Sequence, residues 1–160
     1  MNDPTPAPGA DPADAGSGGL TPHLVVDGAA AAIDFYVAVF GARESLRLSE
    51  PGGKVGHAEL LIGTSRLMLA DEYPDFGARG PAAIGGTPVG LHLYVADVDA
   101  SIRRAEAHGA TVLRPAQDEF YGDRSGVIVD PFGHRWHLAT RGETIAPDEL
   151  QRRWRAMLAG

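Results

Sequence analysis

His23-Leu24-Val25-Val26 and His92-Leu93-Tyr94-Val95 are two writings of one short apolar segment, and they stand 69 residues apart. Downstream, Gly63-Thr64-Ser65-Arg66-Leu67-Met68-Leu69-Ala70 is echoed by Gly133-His134-Arg135-Trp136-His137-Leu138-Ala139, with Ala70 and Ala139 again 69 residues apart. Between these landmarks Gly41-Ala42 has its counterpart in Gly109-Ala110, one residue being lost near Asp97 and recovered later. A period this long, present only twice, does not describe a solenoid, which needs three or more shorter units. It describes two copies of one supersecondary unit, each strand-helix-strand-strand-strand. Packed side by side, two such units are expected to leave a cleft between them.

The first copy reads element by element. Leu24 to Val26 is a short apolar strand, and Asp27-Gly28 turns the chain. Ala29 to Phe40 carries apolar residues at helical spacing (Ile33, Tyr36, Val37, Phe40), with Gly41 in the C-cap place. Strands are expected over 43–49, 55–62 and 66–71, separated by the turns Pro51-Gly52-Gly53 and Gly63-Thr64-Ser65. The second copy repeats the plan: a strand over Leu91–Val95, a helix over Val98–His108, and strands over 111–114, 126–130 and 135–140. Asp130-Pro131-Phe132-Gly133 forms the last hairpin turn.

Outside the repeat, residues 1–20 alternate Pro with Ala, Asp and Gly and have too little to bury to offset their ordering entropy. They are expected to be a disordered tail. Residues 72–88, rich in Gly and Pro, join the modules at 21–72 and 88–140, either as a plain linker or as a loop over a site. Within the segment 143–160, Pro147 to Leu158 reads as a terminal helix. Pro147 suits its first position, Asp148 and Glu149 its positive end, and Leu150, Trp154 and Leu158 one apolar face.

Composition narrows the functions. With 160 residues and no cysteine, the chain is one domain of two small modules, without disulfides, thiolate metal sites or cysteine nucleophiles. A formal charge of −7 argues against a nucleic-acid surface and is compatible with a cationic small molecule. No apolar run approaches a membrane span, and the start lacks the basic and apolar regions of a secretion signal, so a cytoplasmic protein is expected.

Three blocks carry a family resemblance. They are Ala32-Ile33-Asp34-Phe35-Tyr36 with Phe40-Gly41-Ala42, Tyr121-Gly122-Asp123-Arg124-Ser125-Gly126, and Asp130-Pro131-Phe132-Gly133-His134-Arg135-Trp136. Together with the paired modules they resemble the vicinal oxygen chelate superfamily, the group of glyoxalase I, bleomycin-resistance proteins and extradiol dioxygenases, and within it the PhnB-like branch. The resemblance spans about residues 20–142. It implies an α+β fold of two βαβββ modules whose mixed sheets form a cup. It also implies four metal-ligand positions, on the first and last strand of each module. Aligned here, these fall at Thr21, Met68, Gly90 and His137, of which only His137 is a plausible ligand for a hard divalent cation. The usual metal site is therefore expected to be absent as such.

Three histidines stand near those positions. His23 and His92 lie two residues beyond Thr21 and Gly90, so strand alternation puts them on the same inner face. With His137 they would make a sufficient first shell for zinc, nickel or iron, or else line the cup as hydrogen-bonding groups. His57 and Glu59 share one strand face, either as a polar pair for acid-base work or as decoration of a half-exposed strand. Tyr94 alternates with His92 and faces the cup, whereas Trp136 faces away from His137, and Phe35 and Tyr36 are packing residues. Tyr121 and Arg124 are further candidates to contact a ligand, although Asp123 and Arg124 are read first as partners of each other in a turn. His108 and His134 are expected to be solvated.

Two functions follow. In the first, the chain binds a planar or cationic small molecule in the cup through His23, His57, Glu59, His92, Tyr94, Tyr121, Arg124 and His137, with no cofactor or metal. In the second it is a glyoxalase-type lyase or isomerase, or a dioxygenase, built on a metal relocated to His23, His92 and His137. The first is preferred. No nucleic-acid or membrane partner is expected, and the terminal helix suggests a homodimer.

Overall fold

The computed structural model describes residues 19–160, so the expected tail lies, but for its last two residues, outside them. Among the described residues the chain is a mixed α+β protein of two four-stranded sheets and four helices, and its contacts divide it into two units after Gly80. The first unit holds β1 (His23–Val26), α1 (Ala29–Phe40), β2 (Arg43–Ser49), β3 (Val55–Ile62) and β4 (Ser65–Asp71). The second holds α2 (Pro81–Ile84), β5 (Gly90–Tyr94), α3 (Val98–Ala107), β6 (Thr111–Asp118), β7 (Arg124–Val129), β8 (Arg135–Thr140) and α4 (Pro147–Ala159).

The two sheets have one topology. Their orders are β1-β4-β3-β2 and β5-β8-β7-β6, with the first pair parallel and the others antiparallel. The sequence repeat is therefore a repeat of register: His23 lies opposite Met68 just as His92 lies opposite His137. Helices α1 and α3 each cover one face of their own sheet. Val26, Ile33, Tyr36, Leu60 and Leu69 are fully buried in the first unit, and Val98, Ile128 and Leu138 in the second.

The helix ends explain why the units close alike. Asp71, the last residue of β4, is buried and accepts hydrogen bonds from the backbone N–H groups of Gly28 (3.0 Å), Ala29 (2.8 Å) and Val55 (2.7 Å). One carboxylate thus satisfies donors at the start of α1 that the helix cannot satisfy itself. At the matching place in the second unit, Thr140 Oγ1 accepts from Val98 N (2.8 Å), while Asp97 caps Ala100 N (2.9 Å). Gly41 (φ 66°) and Gly109 (φ 95°) end the helices in left-handed backbone.

Four expectations need correction. Val37 is 43% exposed, and the buried side of α1 runs instead through Ala32, Ile33, Phe35, Tyr36 and Val39. Strand β6 continues past Pro115 to Asp118, because it is an edge strand and its register slips between Arg114 and Gln117, where a missing N–H costs nothing. The segment after Glu72 is no plain linker. Its first part bridges Tyr73 to Ala78 and ties Gly80 N to Glu72, and Pro81 is buried close to Gly133. Arg124 does not pair with Asp123: it makes a bidentate pair with Asp99 on α3 (2.7 and 3.0 Å) and a further bond to Asp118 (3.0 Å).

Candidate functional site

Strand alternation sorts the side chains of each sheet into a face under the helix and a helix-free face. In the second unit a Cβ at Gly126 would strike Ile102 of α3, and Thr140 bonds the start of α3, so Gly126 and Thr140 mark the helix side. Trp136 and Leu138 share that side and are buried, with Trp136 Nε1 donating to Asp130 Oδ2 at 2.9 Å. His137, Arg135, His92, Tyr94, Ser125 and Val127 lie on the other face by alternation and register.

On that face His92 and Tyr94 lie on the edge strand β5 and are exposed, their rings 4.8 Å apart. Tyr94 is held at both ends. Its hydroxyl donates to Asp123 (3.1 Å), which raises its pKa, and the Arg141 guanidinium lies 3.7 Å from its ring centre. His137, half-buried, sits opposite His92 in the ladder. Burial first, then the charges of His92, Arg135 and Arg114, hold its pKa below the ordinary 6.5.

Behind these groups lies a network the sequence reading missed. Arg114 donates to Glu119 (2.5 Å), to Ser125 Oγ (2.9 Å) and to the Ser125 carbonyl (3.3 Å). Ser125 in turn donates to Glu119 (2.6 Å), which makes Tyr121 the donor in its 3.1 Å bond to Ser125. Tyr121 therefore serves this network, and Arg124 is engaged on the helix side. Alternation alone would have found Arg135, two residues before His137. Arg114, Glu119 and Ser125 meet through a bulged register that no sequence pattern announces.

The helix-free face of the first unit gathers His23, His57, Glu59, Arg66 and Met68. The rings of His23 and His57 stack at 5.8 Å, and His57 Nε2 lies 3.3 Å from Glu59. Arg66 forms a salt bridge to the same carboxylate, so Glu59 is shared between two partners. Burial, then the neighbouring His57, lowers the pKa of His23. The expected pair His57–Glu59 is thus brought together, and His108 bonds only the Arg104 carbonyl beside it (2.8 Å).

The four positions of the implied metal quartet do not suit a metal. A Cβ at Gly90 would lie 2.8 Å from the His137 ring, so that imidazole already fills the space in front of position 90. Met68 offers only a thioether. Within either unit, among the described residues, no three His, Asp or Glu side chains gather as a metal would require.

Comparison with known proteins agrees with this architecture. The family model of the Glyoxalase/Bleomycin resistance protein/Dioxygenase superfamily matches residues 20–138. The Mycobacterium tuberculosis protein Rv0887c is 49% identical over 135 residues, covering 82% of this chain and 79% of that protein. TioX from Micromonospora sp. ML1 is similar in structure, with TM-score 0.60 and 28% identity over 80% of this chain and 99% of TioX. The PhnB protein from Bacillus cereus, described as a putative 3-demethylubiquinone-9 3-methyltransferase, has TM-score 0.58 and 21% identity over 76% and 98% of the two chains, a likeness of fold alone.

Proposed function

We propose, from the premise that the chain belongs to the Glyoxalase/Bleomycin resistance protein/Dioxygenase superfamily, that it binds a planar small molecule without the metal quartet of its metal-using relatives. The observation that carries this reading is the His137 imidazole lying where a ligand side chain at Gly90 would stand. Exposed aromatic surface supports it further: His92 and Tyr94 present adjoining rings on an edge strand, with Tyr94 fixed by Asp123 and Arg141. Rigid aromatic groups give contact area at small entropic cost. Membership of the PhnB-like branch belongs to the same proposal and rests on the Asp130-Pro131-Phe132-Gly133 block and its neighbours. A cytoplasmic setting is part of the same proposal; among the described residues no helix is long and apolar enough to cross a membrane.

The competing reading is a metal-dependent lyase, isomerase or dioxygenase built on His23, His92 and His137. It draws on the cross-strand pair His92–His137, which supplies two imidazoles on one face. A thermal-shift screen of planar aromatic compounds separates the readings, because a ligand raises the melting temperature by mass action. His92→Ala or Tyr94→Ala should weaken the shift and leave the unliganded melting temperature nearly unchanged, both side chains being exposed. A planar ligand that stabilises both variants as well as the parent would remove this face from the site.

A further inference from the structure

The second unit's helix-free face carries a charge opposite to that of the chain. The protein as a whole has a formal charge of −7, yet three arginines, Arg114, Arg135 and Arg141, gather about this face beside the imidazoles of His92 and His137. The carboxylates beside them are engaged. Glu119 accepts from Arg114 and Ser125, and Asp123 from Tyr94 and Gly142 N. Among the described residues neither Arg135 nor Arg141 forms a salt bridge. Like charges kept together without counter-charges repel one another, and a bound anion relieves that cost.

Arg114 is the best-prepared member. Its bonds to Glu119 and Ser125 use both N–H groups of Nη1 and one of Nη2. The Nε–H and the second Nη2–H form one edge of the guanidinium fork, the geometry that meets a planar oxyanion with two parallel bonds. The ladder sets Arg114 opposite Val127, and Val127 opposite His137. The side chain is thus oriented on the same face before any ligand arrives, and it costs little further ordering on binding.

We infer that this face is an oxyanion site, in which Arg114, Arg135 and the His92–His137 pair take the carboxylate of a planar molecule whose ring lies against Tyr94. The inference rests on the small-molecule reading above and replaces the cationic ligand that overall charge suggests with an anionic one.

The test uses the full chain and three probes of one shape: benzoate, benzyl alcohol and the benzamidinium cation. Each is titrated while the imidazole signals of His92 and His137 are followed by NMR. Benzoate should shift both signals saturably and bind tightest of the three. Arg135→Gln, at an exposed position, should weaken benzoate about tenfold, the worth of one charge-assisted hydrogen bond. Arg114→Lys keeps the charge but loses the fork and should weaken benzoate with little effect on benzyl alcohol. If benzamidinium binds tightest, or if both variants hold benzoate as the parent does, the anion site is overturned while the binder reading stands. If no probe moves either signal, both are overturned.

Discussion

A single side chain, Asp71, does the work of several at the start of the first unit. It is buried and satisfies three backbone N–H groups from two separate parts of the chain. Asp71→Ala would orphan all three and should lower unfolding free energy by about 3 kcal/mol or more, measured by urea denaturation. Thr140→Val at the matching place removes one such bond and should cost about 1 kcal/mol. Equal losses for the two substitutions would contradict this account of the caps.

The histidines make a second prediction at the same scale. His23 and His137 have pKa values held below the ordinary 6.5, chiefly by burial. As pH falls through 6.5 the unfolded chain therefore takes up protons before the folded one. Their effect is absent at higher pH, and stability declines as acid moves through the window between 6.5 and the lowered values. In Arg135→Gln the His137 titration should move upward, since one of the charges depressing it is gone. An unmoved His137 titration would place Arg135 too far from the ring to act on it.

Among the elements, strand β7 and helix α3 approach closely at Gly126. A Cβ at Gly126 would meet Ile102 Cδ1 from the helix and, at 3.0 Å, the Arg114 carbonyl. Gly126→Ala should destabilise by about 1–3 kcal/mol through overpacking, and adding Ile102→Val should recover part of the loss. A neutral Gly126→Ala in urea denaturation would contradict the packing described. How far the elements were legible follows the same logic. Helix α1 and strands β2 and β3 have the bounds their periodicity predicts, because their apolar spacing and flanking glycines act locally. Strand β6 was cut short at Pro115 because edge position and bulge are tertiary facts. The short helix α2 was missed because Pro81 is buried beside Gly133, far away in sequence.

The site was legible in its parts and hidden in its connections. Alternation put His57 with Glu59 and His92 with Tyr94, and the aligned ligand positions put His92 on the face of His137, but nothing in the sequence announced that His23 stacks on His57. Alternation gave no means of knowing that Arg124 answers Asp99, or that Arg114, Ser125 and Tyr121 form one network, since those partners meet through helix-on-sheet packing and sheet register.

For the whole molecule, the internal repeat was the strongest signal, since both units keep one strand order and one register. Helix α4 is less settled within its unit. It has no buried residue, and Trp154, Met157 and Leu158 are 43%, 51% and 65% exposed, although Trp154 reaches the Phe120 ring at 5.5 Å. We propose that a second copy of the chain covers this apolar surface. Sedimentation should then give a dimer at tens of micromolar, and Trp154→Glu a monomer; a monomeric parent protein would dismiss the proposal.

The most direct test of the central claim, a small-molecule binder without the family's metal quartet, is elemental analysis of protein purified without a His tag, joined to ligand titration with and without chelator. The account predicts substoichiometric metal and an affinity for the planar ligand that chelator leaves unchanged. One equivalent of zinc, nickel or iron, lost in both His92→Ala and His137→Ala and needed for binding, would contradict it.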